Sequence, residues 1–479
     1  VSKRENKTYE ATSEAAITSA ATLCTDISLN NGQRRQIARL ANSLANMIPS
    51  DEDLRSSIPV FEKDLLLSLK QIAENFSCGL SHQTYSKPSV DLTHRNSNPT
   101  HELIDTLFMI IKAPDIKPRV WAESAITIAK ILEQGLSPND LSFAIRRIDE
   151  NASLVISILS TASLEATFES KADDPMASLY TIAAVSNTVL RKMVKRRCTI
   201  IAVSRRLGHS DHFIINSALD ICQIIFADAN CVNNLCTGPG DNLELLVTSI
   251  LQLIRESAIV QHQLTGIEVL SPLLTANHYH IQSILETLKW VASESKSRDT
   301  VVKSVFSFCQ AVKEQERPSL QCLKSLVEFS KFPQKEVRLE TLHVIDIKVN
   351  ADNIQSFLEH SELVAVLYQN ILVGSEEERM TAFDIARQMA RSSISHSRLC
   401  SHKRFLEEVI KRVVRKHESP NSSAAEILLS LLLNKENTQY FLQFPSLLPW
   451  LVDFVTKHRI GMSDDPLVAL IVHLSLMAK

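Results

Sequence analysis

Three groups of residues in this chain have types and spacings that chemistry could use. The first is His101-Glu102-Leu103-Ile104-Asp105, one residue short of the H-E-x-x-H pattern, in which two histidines a helical turn apart hold zinc and the glutamate acts as base. Asp105 stands where the second histidine belongs and no third ligand is evident. These residues read as the polar opening of a helix, with Glu102 near the positive end of its dipole. The second group is His209 and His212 followed by Cys231 and Cys236, an H-x2-H and C-x4-C set chemically capable of holding zinc. Asp211 to Phe226 is a good helix with Cys222 on its apolar side, and Cys231 and Cys236 border a turn, so the thiols read as ordinary helix-core residues. No phosphate-cradling, dinucleotide, serine-hydrolase or zincin motif occurs. No enzyme, metal or cofactor is expected.

The third group is the sharpest anomaly. Arg191 to Arg206, RKMVKRRCTIIAVSRR, carries Arg191, Lys192, Lys195, Arg196, Arg197, Arg205 and Arg206 and no acid. On a continuous helix the first four cluster within two turns, and like charges at i, i+4 cost a few tenths of a kcal/mol each. An acidic protein partner, a nucleic acid or an anionic lipid could offset that cost, and so could neighbouring carboxylates on a plain solvated face. No aromatic residues are interleaved to stack bases. A second basic run holds Lys403, Arg404, Lys411, Arg412, Arg415 and Lys416, but Glu407 and Glu408 interrupt it. Glu408 sits three and four residues before Lys411 and Arg412, the spacing of helix-surface ion pairs.

The elements that position these charges are helices. Hydrophobic residues make up 44% of the 479 residues and charged residues 22%, the balance of a globular chain. Only nine glycines occur, too few for the tight turns of barrels and large α/β enzymes. The net charge of -3 gives no global field toward nucleic acid or membrane. Nine cysteines, an odd number in mostly apolar helical context, favour reduced thiols and a cytoplasmic or nuclear location. No run of 18 apolar residues is present. VSKREN at the start carries no signal-peptide pattern, and without an initiator Met the chain reads as a fragment.

Apolar periodicity recurs with a long period. EEERMTAFDIARQMA from Glu376 places Met380, Phe383, Ile385, Ala386, Met389 and Ala390 on or near one stripe. KEVRLETLHVIDIKV from Lys335 and PNSSAAEILLSLLL from Pro420 repeat the idea, a unit of about 40 to 47 residues that suits stacked helical repeats. The predicted organisation is N-terminal helical units over 1–77, a Ser/Thr/Pro-rich loop or linker over 78–100, a first solenoid block over 101–236 and a second over 241–479 with a C-terminal cap. Cys231 to Gly240, CVNNLCTGPG, is the clearest punctuation between the blocks.

Leu429 to Val455, LSLLLNKENTQYFLQFPSLLPWLVDFV, resembles an armadillo-repeat junction: Asn434, Asn437, Leu442, Leu447, Leu448, Leu451 and Val452 match its helix, polar turn, short helix and apolar leader. Residues 218–236 are similar, more faintly. The junction's usual glycine is replaced by Phe444-Pro445-Ser446. Trp121, Trp290 and Trp450 share no spacing, so the resemblance does not extend to the Trp/Asn ladder of import-signal receptors. It implies an all-α fold, an irregular armadillo/HEAT-type superhelix of ten or so units. The function expected of such a chain is a protein-interaction scaffold or adaptor assembling a larger intracellular complex, its partner carrying an acidic extended segment or helix. The alternative is a nucleic-acid-associated subunit of a nuclear complex. A homodimer is also open, because terminal repeats need a cover for their apolar faces.

Overall fold

The computed structural model of this chain describes residues 98–113, 117–164, 174–237, 241–275, 280–350, 353–359, 362–414, 422–432, 434–441, 443–444 and 446–457. The helical units expected over 1–77, nearly all of the 78–100 loop and residues 458–479 of the expected C-terminal cap lie outside the described residues. Within them are twenty-two α-helices, one 3-10 turn and no strand. The chain divides into two compact units between Val269 and Leu270.

In the first unit the helices are α1 (Pro99–Lys112), α2 (Pro118–Glu133), α3 (Pro138–Ala162), α4 (Pro175–Val185), α5 (Asn187–Val194), α6 (Arg197–Leu207), α7 (His212–Ala227), α8 (Ala229–Thr237) and α9 (Asn242–Glu256). Proline opens α1 to α4, where its fixed φ suits a helix start and its missing N–H costs no bond. Asn98, Ser137 and Asp174 cap α1, α3 and α4 by accepting from first-turn amides. Helices α2, α4 and α7 pack in one row, α3, α6 and α9 in a second, and the short α5 and α8 in a third. The unit is a stack of three-helix repeats. Helix α10 (Val260–Thr275) carries the division, with Pro272 inside its last turn.

The second unit repeats the plan. Its helices are α11 (Ile281–Glu294), α12 (Arg298–Glu314), α13 (Leu320–Phe329), α14 (Lys335–Lys348), α15 (Ile354–Leu358), α16 (Leu363–Val373), α17 (Glu376–Ala390), α18 (Ser393–Ser401), α19 (Lys403–Val414), α20 (Ser422–Leu432), α21 (Thr438–Phe441) and α22 (Leu447–Lys457), with a 3-10 turn at Lys435–Asn437. The three copies marked by the sequence are α14, α17 and α20, and they stack directly on one another with α12 ahead of them. Helices α16, α19 and α22 form a parallel row and α15 and α18 a short one. Phe308, Leu342, Ile345, Phe383, Ile385, Met389, Ile427 and Leu428 fill the row from inside. Each such side chain contributes about 1.5–3 kcal/mol, against about 0–1 kcal/mol for a rim ion pair such as Lys289 with Glu328. Apolar burial holds the row. Both units are α-solenoid blocks of the armadillo/HEAT kind.

Polar rungs follow the same period. Arg147 donates to Asp105 (2.6 Å), Gln388 to Asp346 (2.7 Å) and Arg338 to Glu378 (2.8 Å), joining residues 42, 42 and 40 apart. Ser204 meets Ser249 at 2.6 Å across a separation of 45. Arg338 also donates to the carbonyls of Phe332 and Pro333, and Glu378 closes a capping box with Ser375 at the start of α17. Burial alone would raise the Glu378 carboxyl, but the Ser375 donors and the Arg338 guanidinium outweigh it and leave it below the usual range.

Helix α3 runs unbroken from Pro138 to Ala162, and Asn151 bonds back to the Arg147 carbonyl within it. Two local expectations change. Cys231–Gly240, read as punctuation, is helical through Thr237, with Cys231, Val232 and Leu235 buried. Met380 stands 48% exposed, off the stripe it was assigned to. Ser393–Ser401 forms a helix where the polar sequence offered no period. There Ser395 donates to the Ser392 carbonyl (2.8 Å), and His396 Nε2 donates to the Ala390 carbonyl (2.7 Å).

Gly374 sits where α16 meets α17, and an added Cβ would lie 2.4 Å from the Asn370 carbonyl oxygen and 3.0 Å from Glu378 Cβ. Gly374→Ala is expected to destabilise the second unit by about 1–3 kcal/mol, read as a lower urea midpoint.

Candidate interaction site

The basic run does not form one helix. Helix α5 ends at Val194 with Lys195 as its C-cap, and α6 starts at Arg197 with Arg196 as its N-cap. Arg191 and Lys192 therefore sit in the last turn of α5, where cations complement the dipole. Arg196 and Arg197 lie at the start of α6, where they oppose it, and Arg196 offers no side-chain acceptor to the first amides. Arg191, Lys192, Lys195, Arg197 and Arg205 are exposed and Arg196 is half-buried. None of the six has a carboxylate partner within salt-bridge distance among the described residues. The corner is a positive surface on the repeat built from α5, α6 and α7.

Arg206 is different. It is 7% exposed, donates through Nη1 to Asp174 and through Nε to the Ser163 carbonyl (2.9 Å). Asp174 in turn caps α4 through the amides of Met176 and Ala177. Arg206 was expected in the partner-binding patch, but on an eleven-residue helix adjacent positions point about 100° apart, and its neighbour Arg205 takes the outward one. It is an internal staple.

The second basic run also turns partly inward. Arg412 donates to Glu408 (2.9 Å) and to the Ile371 carbonyl (3.1 Å), with its guanidinium 5.5 Å from the Phe383 ring centroid. Lys411 lies 3.8 Å from the same Glu408. The i+3 and i+4 pairs visible in the sequence form as read. Lys403 and Arg404 are exposed, and Arg415 and Lys416 lie outside the described residues. The two basic runs belong to different compact units.

The residues with metal-ligand spacing are used otherwise. His212 Nδ1 meets His262 Nε2 at 2.5 Å with the rings stacked 4.7 Å apart, and Ser257 and Asn216 hold the outer nitrogens. His262 lies 50 residues after His212, beyond the period of about 40 to 47, so only the packing pairs them. Cys231 contacts Asp228, and burial, with the Asp228 charge second, pushes its thiol up to about 12. Cys236 is exposed at the end of α8. His209 accepts from the Asp211 amide, and His101 stacks on Phe143 with ring centroids 3.8 Å apart. No three His, Cys, Asp or Glu converge as a ligand set among the described residues. No single described helix is long and apolar enough to cross a membrane.

The armadillo-like junction holds together through histidine. His396 Nε2 carries the proton, since it faces the Ala390 carbonyl, so Nδ1 accepts from Asn434 (3.1 Å) and Asn437 (3.4 Å), which also donates to the Leu431 carbonyl. Leu447 is buried and Val452 faces outward. No family model matches the chain, and no curated protein matches it. Among solved structures it is similar to a designed armadillo repeat protein in complex with a (KR)4 peptide, at 17% identity over 48% of this chain and 98% of that one, with a TM-score of 0.36. A second designed armadillo repeat protein gives 17% identity over the same shares and a TM-score of 0.34. An engineered protein gives 12% identity over 91% of this chain and 98% of its own, with a TM-score of 0.42.

Two outcomes are expected. Arg206→Met strands a buried Asp174 and lowers stability by about 3 kcal/mol, whereas Arg205→Met stays within about 0.5 kcal/mol, both read by thermal unfolding. Burial, with the His212 charge second, holds His262 below the usual imidazole range. The unfolded chain therefore binds the proton first, and stability present above about pH 6.5 declines as pH falls below it. His262→Gln should flatten that part of the pH-stability curve.

Proposed function

We propose that this chain is a non-enzymatic interaction scaffold that docks an acidic segment of a protein partner on the basic corner between α5 and α6. The observation that carries the reading is the set of Arg191, Lys192, Lys195, Arg196 and Arg197 at that corner, with Arg205 exposed in the last turn of α6, none of them with a carboxylate partner among the described residues. The like charges clustered at this corner repel one another, and an acidic segment removes that repulsion while being steered to it. Stacked repeats suit the role, because each adds surface without disturbing the fold of its neighbours. Affinity in such an interface comes from buried anchors near the charges, and the charges mainly set encounter rate and partner choice. The corner has no aromatic interleaved in its sequence, which favours protein over nucleic acid.

The test compares the wild-type chain with a Lys195→Glu, Arg196→Glu, Arg197→Glu and Arg205→Glu chain, after matching their thermal unfolding. Both are used for affinity capture from native cells with nuclease treatment and mass spectrometry. The expected result is a nuclease-resistant partner with an acidic segment, lost with the four reversals and weakened by added salt. Capture that disappears with nuclease would move the chain to the nucleic-acid reading. An unchanged list of partners would make the corner a solvated face.

A further inference from the structure

The second unit holds a cleft of about 520 Å³, open along one side, between the turn at Ser330–Pro333 and helix α16. That size falls within the roughly 300–1,000 Å³ of ligand-binding clefts. Its walls are apolar: Phe332, Pro333, Ala365, Val366 and Val373. Val373 forms the lip at 69% exposure, and Leu372 beside it is 46% exposed, so the apolar surface runs out of the cleft onto the rim.

The polar groups of the cleft are partly satisfied, and the side-chain amide of Gln369, exposed on its wall, has no hydrogen bond among the described residues. Lys331 and Glu362 pair with each other at the mouth. Arg338 spends Nε on Glu378 and Nη1 on the carbonyls of Phe332 and Pro333, which leaves Nη2 without an acceptor among the described residues. Asn370 spends its amide nitrogen on the Val366 carbonyl (2.9 Å), which leaves Oδ1 without a donor among them. The lining carries Lys331, Arg338 and Glu362, and the buried Glu378 behind Arg338 supplies the second carboxylate, so the charges around the cleft balance. A charged ligand would lose hydration here without finding an opposite charge to replace it. Open donors and acceptors in an apolar frame, on Arg338, Asn370 and the exposed Gln369, are what a stretch of peptide main chain needs, a carbonyl for one and an N–H for another.

We infer that this cleft docks an uncharged, extended segment of a protein partner, with one Leu- or Phe-sized side chain against Phe332 and Val366, a main-chain carbonyl on Arg338 and a main-chain N–H on Asn370. It goes beyond the scaffold reading, which concerns an acidic partner on the other unit. The two sites select by opposite chemistry, one by charge and one by its absence.

The probe is a phage-displayed library of random linear peptides selected against the full chain, with the leading consensus peptide synthesised and its affinity measured. The consensus is expected to be uncharged with one large aliphatic or aromatic anchor. Its affinity should change by less than about twofold between about 50 and 500 mM salt. Ala365→Trp fills the cleft from an exposed helix position and should weaken the peptide by about tenfold or more. Val373→Asp, at the exposed lip, should weaken it in the same direction and serves as the reading if the tryptophan lowers the melting temperature. Binding that survives both variants, or selection that yields no consensus, would overturn the inference. So would an acidic consensus lost in the Arg196→Glu, Arg197→Glu chain, an outcome that would instead credit the basic corner.

Discussion

Everything in this protein depends on one requirement: a helix with a single apolar stripe must bury that stripe against a neighbour, and here the neighbour is its own copy one repeat away. Phe383, Ile385 and Met389 of α17 lie between the equivalent residues of α14 and α20, and no helix of the row could keep them dry alone. With only nine glycines, the chain has few places to make the sharp turns another architecture would need. Repetition supplies the core instead.

The polar groups are arranged around that packing. Rungs such as Arg147 with Asp105 and Arg338 with Glu378 span about one repeat, and each fixes the register of two neighbouring helices without supplying much net energy. Where a rung is buried it carries more consequence. Arg206 with Asp174 ties the end of α6 to the start of α4, and removing either partner would leave the other charge in the interior. The His212–His262 pair is a rung of the same kind, built from two stacked imidazoles.

What remains free after these internal demands defines what the surface can do. The corner between α5 and α6 keeps five cations without a described counter-charge, with Arg205 exposed at the far end of α6, and the cleft beside α16 keeps open donors and acceptors in an apolar frame. The second basic run shows the opposite outcome, since Arg412 is consumed by Glu408, the Ile371 carbonyl and the face of Phe383. Charge in the sequence is therefore a poor guide to charge on the surface. The accounting has to be done residue by residue.

The sequence by itself determined the helical class, the period and most helix positions: Asn242–Glu256 and Lys335–Lys348 follow from apolar spacing, which needs no distant partner. It also determined the Glu408 pairs, because residues three and four apart on a helix must face one another. Only the tertiary structure decided the short helices. Ala229–Thr237 and Ser393–Ser401 are too brief to show a period, and the second is held by His396, whose partners lie about one repeat further along the chain. Only the tertiary structure decided which cations stay in water. Arg205 and Arg206 are adjacent and alike in sequence, yet the packing of α6 against its neighbours sends one outward and the other to Asp174.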